Sequence, residues 1–237
     1  YSISLNQYMN LISFYSLPAD NTVSAVFQSL GDDVAFVAGE ASSNSNFGSG
    51  NWNGSLRNLD LSSGYWLRMA TANTLTGNGF PYDINRAYSL NAGSNLVSFP
   101  SHGTFEISGA LPDAIEGNVK AIIGEGAAAI NNNGWGGSLD LFEGLKGYWI
   151  FTDAAISFSY ELDNSDIAGR EVTPAQITEK PTGLDFVQSS EQAFYFMKES
   201  VIQDGNAEHG DWFVSFCGAS IAGSRQYVGK MIDIPVM

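Results

Sequence analysis

Asn10-Leu-Ile-Ser-Phe14 returns 85 residues later as Asn95-Leu-Val-Ser-Phe99. The same spacing relates Gly39-Glu40-Ala41 to Gly124-Glu125-Gly126. After a two-residue gap the offset becomes 83: Trp52-Asn-Gly-Ser-Leu56 matches Trp135-Gly-Gly-Ser-Leu139, and Gly64-Tyr-Trp-Leu67 matches Gly147-Tyr-Trp-Ile150. Four blocks in one order mark a duplicated module. The period exceeds that of the common solenoid repeats, so each copy reads as a small domain. The divisions follow: residues 1–80 are the first repeat module, 81–162 the second, 163–183 a polar linker with Pro174 and Pro181, and 184–237 a C-terminal β module.

Within each copy the Asn-Leu-(Ile/Val)-Ser-Phe block is a short apolar strand. Val23, Val26, Phe27 and Leu30 follow Asp20-Asn21 at i, i+3, i+4, i+7 spacing, which predicts a two-turn helix behind an N-cap. Ile107, Ala110, Leu111 and Ala114 keep that spacing, but Pro112 should shorten or distort the helix. Strands are expected at 34–39 and 119–124, followed by Gly/Asn/Ser loops at 41–51 and 131–134. The Gly-Tyr-Trp blocks start another strand, and 74–76 and 156–160 close each module. Ile156, Phe158 and Tyr160 alternate with Ser157 and Ser159, the period of a half-buried strand. The C-terminal segment carries an aromatic run, Phe194-Tyr195-Phe196, and strands at 211–216 and 221–227 around a Cys217-Gly218-Ala219-Ser220 turn. The fold class is mostly β, a β-rich α+β with one short helix per repeat.

Composition excludes several functions. The 237 residues carry 25 acids against 10 bases, a formal charge of −15. That balance repels phosphate backbones, so no nucleic-acid partner is expected. Cys217 alone makes no internal disulfide or multi-Cys zinc site, and His102 and His209 form no HExxH motif. No apolar run approaches the roughly 18 residues of a membrane-spanning helix. A hydrophobic content of 44% suffices for a buried core. The chain opens on Tyr1, and Met231-Ile-Asp-Ile-Pro-Val-Met237 reads as a strand cut short, so a processed or excerpted chain is expected.

The order of these blocks resembles a repeat in large predicted surface and secreted proteins of marine bacteria. It is also similar to repeats in predicted virion structural proteins of tailed marine cyanophages. The C-terminal segment is similar to a module that often follows: Gln192-Ala-Phe-Tyr-Phe196, Asp211-Trp212, Gly223-Ser-Arg225 and Asp233-Ile-Pro-Val-Met237. The resemblance implies an extracellular, cell-surface or virion location and a structural or attachment role. It supplies no catalytic residues. Two positions depart from it: Cys217 stands where the turn usually has a small polar residue, and the chain stops where the module would continue.

Six aromatics are the candidate ligand-binding residues: Trp52, Tyr65, Trp66, Trp135, Tyr148 and Trp149. An aromatic face on a β surface can stack on a sugar ring. Neighbours on a strand point to opposite faces, so one of each Tyr-Trp pair belongs in the core and the other on the far side. The competing reading makes all six packing residues. Glu40 and Glu125 are kept in both copies, but a glycosidase needs two carboxyls about 5–9.5 Å apart and nothing pairs them. They are expected to accept hydrogen bonds from loop amides. Asp32-Asp33 and Asp163-Asn-Ser-Asp166 offer oxygen ligands for calcium without EF-hand spacing and read as turns. Cys217 with His209 lacks an orienting Asn or Asp. Ser98, Ser101 and His102 lack a Gly-x-Ser-x-Gly elbow. Asn53-Gly-Ser55 is a glycosylation sequon that the second copy does not keep. No catalytic residue, cofactor or metal is expected. The partners expected are other proteins or further copies of the chain through unpaired strand edges, with a surface glycan as the alternative.

Overall fold

The computed structural model describes residues 1–81, 83–162 and 179–237. Most of the linker at 163–183, and the whole Asp163-Asn-Ser-Asp166 candidate, lie outside the described residues.

The first repeat contains β1 (Ser2–Leu5), β2 (Tyr8–Ser13), β3 (Ser16–Leu17), α1 (Val23–Val26), β4 (Val34–Ala38), β5 (Ser43–Asn46), β6 (Trp52–Gly54), β7 (Gly64–Met69), β8 (Asn73–Thr76) and β9 (Phe80–Pro81). The second contains β10 (Tyr88–Leu90), β11 (Gly93–Ser98), β12 (Thr104–Glu106), α2 (Ile107–Ala110), α3 (Asp113–Glu116), β13 (Val119–Ile123), β14 (Ala128–Asn131), β15 (Trp135–Gly137), β16 (Leu141–Glu143), β17 (Gly147–Thr152) and β18 (Ile156–Phe158). The main sheets have matching orders, β2-β7-β4-β5-β6 and β11-β17-β13-β14-β15, and all pairings given for them are antiparallel. Each repeat adds a two-stranded pair, β1–β8 or β10–β18. Even the irregularity repeats, because the register against the central strand slips between Val34 and Phe36 and between Val119 and Ala121.

The motif residues show why they recur. Asn10 accepts from the Asn6 amide (2.7 Å) and donates to the Asn6 carbonyl (2.9 Å); Asn95 does the same with Asn91 (2.8 and 2.9 Å). These bonds pin the corner where the chain leaves one sheet for the next. The corner also needs a left-handed residue, Gly93 at φ 106° in the second repeat and Tyr8 at φ 77° in the first. Phe14 and Phe99 lie fully buried at the centres of the two cores. Tyr160 packs edge-on against Phe99 (5.2 Å, 86°). Its counterpart in the first repeat is Gly77, and there Tyr1 supplies the ring, packed edge-on against Phe14 (5.3 Å, 71°).

Two local expectations need correction. The helix is one turn in the first repeat: Thr22, not Asp20 or Asn21, caps it by accepting from the Ala25 amide, and a 3-10 segment at Gln28–Asp33 replaces the second turn. In the second repeat Pro112 divides the segment into α2 and α3, so that copy has two short helices. The expected loop at 41–51 holds β5, whose sequence is Ser-Asn-Ser-Asn. Pairing with β4 and β6 on both sides, and the bonds from the Asn44 amide group to Leu56 O and from Asn46 to Val34 O, hold this polar segment extended.

The C-terminal module comprises β19 (Ala193–Met197), α4 (Glu199–Asp204), β20 (Trp212–Cys217), β21 (Ser220–Gln226) and β22 (Ile232–Val236). β19 pairs with β22, and β20 with β21 through a two-residue turn in which Gly218 takes φ 62°. Ile202, Tyr227, Ile232 and Ile234 form its small core.

Candidate functional site

The two repeats meet through equivalent surfaces in a reciprocal way. β2 and β11 are outer strands of their main sheets, so each leaves a row of backbone donors without a sheet partner. The Leu11 amide donates to Glu125 (3.0 Å), and the equivalent Leu96 amide donates to Glu40 (2.9 Å). The Ser13 amide donates to Leu145 O and the Ser98 amide to Ser62 O, both at 3.0 Å. Single bridges join Ile12 to Lys146 and Val97 to Ser63. Each of these backbone contacts i–j is answered by j–i, the mark of a twofold, isologous interface, while the Ser13 and Ser98 hydroxyls depart from it by reaching the non-equivalent carbonyls of Lys146 and Leu61.

Gly64 and Gly147 lie at the centre of this junction. A Cβ on Gly147 would fall 2.8 Å from the Ile12 carbonyl and 3.3 Å from Gly64 Cα. A Cβ on Gly64 would fall 2.9 Å from the Val97 carbonyl. Glycine at the head of the Gly-Tyr-Trp block therefore sets how closely the two backbones approach.

The aromatic pairs divide between the two faces of β7 and β17. Tyr65 and Tyr148 enter the repeat cores, each 2% exposed. Their hydroxyls accept from the Asp60 amide (2.6 Å) and the Glu143 amide (2.7 Å). Burial raises both: Tyr65 is pushed up to about 12, and Tyr148 goes further in the same direction. Trp66 faces the junction, where it packs with Leu11 and Leu96, and half-buried Trp149 packs against the same cluster. The rings of Tyr65, Trp66 and Tyr148 are thus covered by protein and have no open face for a sugar.

Trp52 and Trp135 sit on β6 and β15, each half-buried against the core of its own repeat. They differ in surroundings. The Trp135 indole N–H donates to the Glu116 carboxylate, which closes that side. Trp52 leans on Phe27 (6.1 Å) and lines an open cleft of about 580 Å³ with Ser24, Gln28, Asp32 and Ser49. Among the described residues no hydrogen-bond partner of the Trp52 indole is found. The six aromatics therefore do not form one site. Three are enclosed, two are half-covered, and one borders a cleft.

The carboxylates are engaged with the protein itself. Glu40 and Glu125 accept from amides as expected, but from the opposite repeat and not from their own loops. Asp32 accepts from the Ser49 amide (2.7 Å), and Asp33 from Thr71 (2.6 Å) and Asn73 (2.8 Å). Among the described residues no group of three or more His, Cys, Asp or Glu is placed to hold a metal ion. Ser98 donates to Leu61 O (2.6 Å), the Ser101 hydroxyl accepts from the Gly103 amide, and His102 lies exposed against the Tyr15 ring. Cys217 is exposed at the far end of β20 from His209, about 20 Å of extended chain away. Asn53 of the sequon is exposed on β6.

The most concentrated polar cluster was not foreseen. Asp233 on β22 is fully buried where the C-terminal module meets the second repeat. It accepts from the Ala128 amide (3.0 Å), the Ser138 amide (2.5 Å), the Ser138 hydroxyl (2.9 Å) and Arg225 (3.0 Å). Arg225 also donates to Gly126 O (2.5 Å), and Gln192 to Gly124 O (2.9 Å). Burial raises the Asp233 carboxyl above its ordinary value, with Arg225 and the hydrogen bonds opposing. The available signal was a single charge inside the apolar run Met-Ile-Asp-Ile-Pro-Val-Met, since a charge there needs partners.

Comparison with protein-family models, with curated proteins and with solved structures yields no match.

Proposed function

We propose that the chain is a non-enzymatic structural or attachment component on the outside of a virion or cell, with its two repeats acting as one stiff unit. The observation that carries this reading is the use of the shared polar residues. Glu40, Glu125, Ser13 and Ser98 bind the repeats to each other, and Asp233 with Arg225 binds the third module to the second. Groups with the chemistry of an active site are thus occupied in fixing the relative positions of modules. Such fixation serves a spacer or mount, which must transmit force and hold its neighbours in register. The test is antibody labelling of intact particles and unbroken cells of the source. Labelling without permeabilisation is expected; labelling only after lysis overturns the reading.

A second reading, glycan binding, is favoured by one feature, the open cleft beside Trp52. Its indole edge and the Asp32 carboxylate offer the apolar and polar contacts that a sugar uses. Under this reading Trp52→Ala abolishes retention on a glycan array while Trp135→Ala leaves it unchanged; equal retention by both variants and the parent removes it.

A further inference from the structure

The C-terminal module occupies a corner of the second repeat, and among the described residues no strand takes the equivalent place in the first repeat. In the second, the amides of Ala128 and Ser138 converge on Asp233, Met231 packs on Gly136, and Lys230 reaches Asp140 at 2.5 Å. The repeat offsets make Ser43, Ser55, Asn53 and Arg57 the counterparts of Ala128, Ser138, Gly136 and Asp140. The local backbone is alike in two contacts, although Gly137 takes φ 130° where Gly54 does not and the Ser138 amide also donates to Ala128 O (3.1 Å). Leu56 N donates to Ser43 O (3.0 Å) as Leu139 N donates to Ala128 O (3.1 Å). A Cβ on Gly54 or on Gly137 would fall 2.2 Å from that same carbonyl.

What differs is the occupant. Asn53, Ser55 and Arg57 are exposed. The Ser43 amide donates to the Ser55 hydroxyl, at 3.3 Å. Among the described residues no carboxylate accepts from the Ser43 or Ser55 amide. The serine hydroxyl thus holds the place that an acceptor from outside would take, and it can turn to donate as Ser138 does.

The geometry points to this corner as a docking site for a β-strand of a partner protein, which inserts a carboxylate between the Ser43 and Ser55 amides. Charge selects the partner. A second copy of the C-terminal module would bring Lys230 to Arg57, a repulsion in place of the Lys230–Asp140 pair. The partner strand therefore carries an acid three residues before its inserted carboxylate. The site is a property of the repeat and holds whether or not the chain is a surface protein.

The probes are two eight-residue peptides, one with the sequence of 230–237 and one with Lys230→Glu, titrated to millimolar concentration into the isotope-labelled full chain. The expected result is saturable movement of the Ser43 and Ser55 amide resonances, several-fold tighter for the Glu peptide. The preference reverses in an Arg57→Asp chain, and Asp233→Asn in the peptide abolishes the movement. Three results overturn the proposal: no movement at Ser43 and Ser55 with either peptide; movement confined to Ala128 and Ser138, meaning displacement of the chain's own strand; or movement of Ser43 and Ser55 on concentrating the chain alone, meaning that the occupant is a second copy.

Discussion

Gly147→Ala should separate the two repeats. The added methyl would sit 2.8 Å from the Ile12 carbonyl oxygen and 3.1 Å from Leu11 Cδ1. An ordinary carbon–oxygen approach is about 3.3 Å or more, so the carbonyl must retreat by roughly 0.5 Å. It cannot do so alone, because Ile12 lies in β2 and is also bridged to Lys146. The strain must open the junction, including the Leu11–Glu125 and Leu96–Glu40 bonds. Overpacking of this kind costs about 1–3 kcal/mol. A gain of about 0.5–1 kcal/mol for replacing glycine within a strand offsets part of it, leaving a net loss centred on about 1 kcal/mol and at most about 2.5 kcal/mol. Urea unfolding measures that loss, and hydrogen exchange localises it: the Leu11 and Leu96 amides should exchange roughly ten-fold faster, while core amides such as Leu67 change less. Gly64→Ala should act alike, and the double variant should cost less than the two separate losses together, since an opened junction accommodates the second methyl. Gly109→Ala is the control, as among the described residues nothing lies within 4 Å of its added Cβ. If Gly147→Ala proves as harmless as Gly109→Ala, or leaves Leu11 and Leu96 protection unchanged, the close approach at the junction is not what positions the repeats.

Three further outcomes follow from the buried ionisable groups. Tyr65 is raised to about 12, so its stabilising contribution is complete below about pH 10 and declines as pH rises toward 12, by about 3 kcal/mol in all; Tyr65→Phe should flatten that alkaline loss in denaturant midpoints, and all tyrosines ionising near pH 10 in the folded protein would contradict it. Asp233→Ala leaves the Ala128 amide without its acceptor and removes the ion pair, while Arg225 keeps Gly126 O and Asp233 O and the Ser138 amide keeps Ala128 O; it should cost about 1–3 kcal/mol, seen as faster proteolytic release of the C-terminal module, with Asp233→Asn milder. Because burial raises the Asp233 carboxyl, its contribution is greatest below its ordinary value of about 3.9 and falls as pH rises through the elevated one, so Asp233→Asn should remove that decline; an unchanged pH profile in the Asn variant would refute the assignment.

The parts of this fold that show in the sequence are those where one residue type does one local job. The duplication shows because the corner at Asn10 and Asn95, the core rings Phe14 and Phe99, and the Tyr65 and Tyr148 anchors each need a particular side chain. The matched register extends further than the motif blocks, since Ser4-Leu5-Asn6 answers Ser89-Leu90-Asn91 and supplies the partners of the two asparagines. β5 does not show, because Ser43-Asn-Ser-Asn46 has no strand pattern of its own and is extended by its neighbours. The candidate site was legible only in part. Alternation along β7 and β17 separates Tyr from Trp, but no local pattern tells that the far face of Trp66 is another copy of the same module. The two glutamates likewise look like loop residues until the opposite repeat is in place.

Duplication resolves a difficulty built into the module. A single copy would expose the Leu11 and Ser13 amides on an outer strand, the Trp66 ring beside them, and a glycine surface shaped for close approach. Each feature invites pairing with a further copy. Placing two copies in one chain satisfies both edges at once, because a twofold contact uses the same patch on each side and then closes. The C-terminal module breaks that symmetry, since it engages the second repeat at Ala128 and Ser138 and leaves Ser43 of the first half-buried and Ser55 exposed. An internal pair that closes on itself limits assembly to whatever lies outside the junction. The unequal corners are therefore where contacts with other molecules can differ between the two ends of an otherwise symmetric unit, and a polar fork with Arg57 at one end and an occupied fork with Asp140 at the other gives the unit a direction.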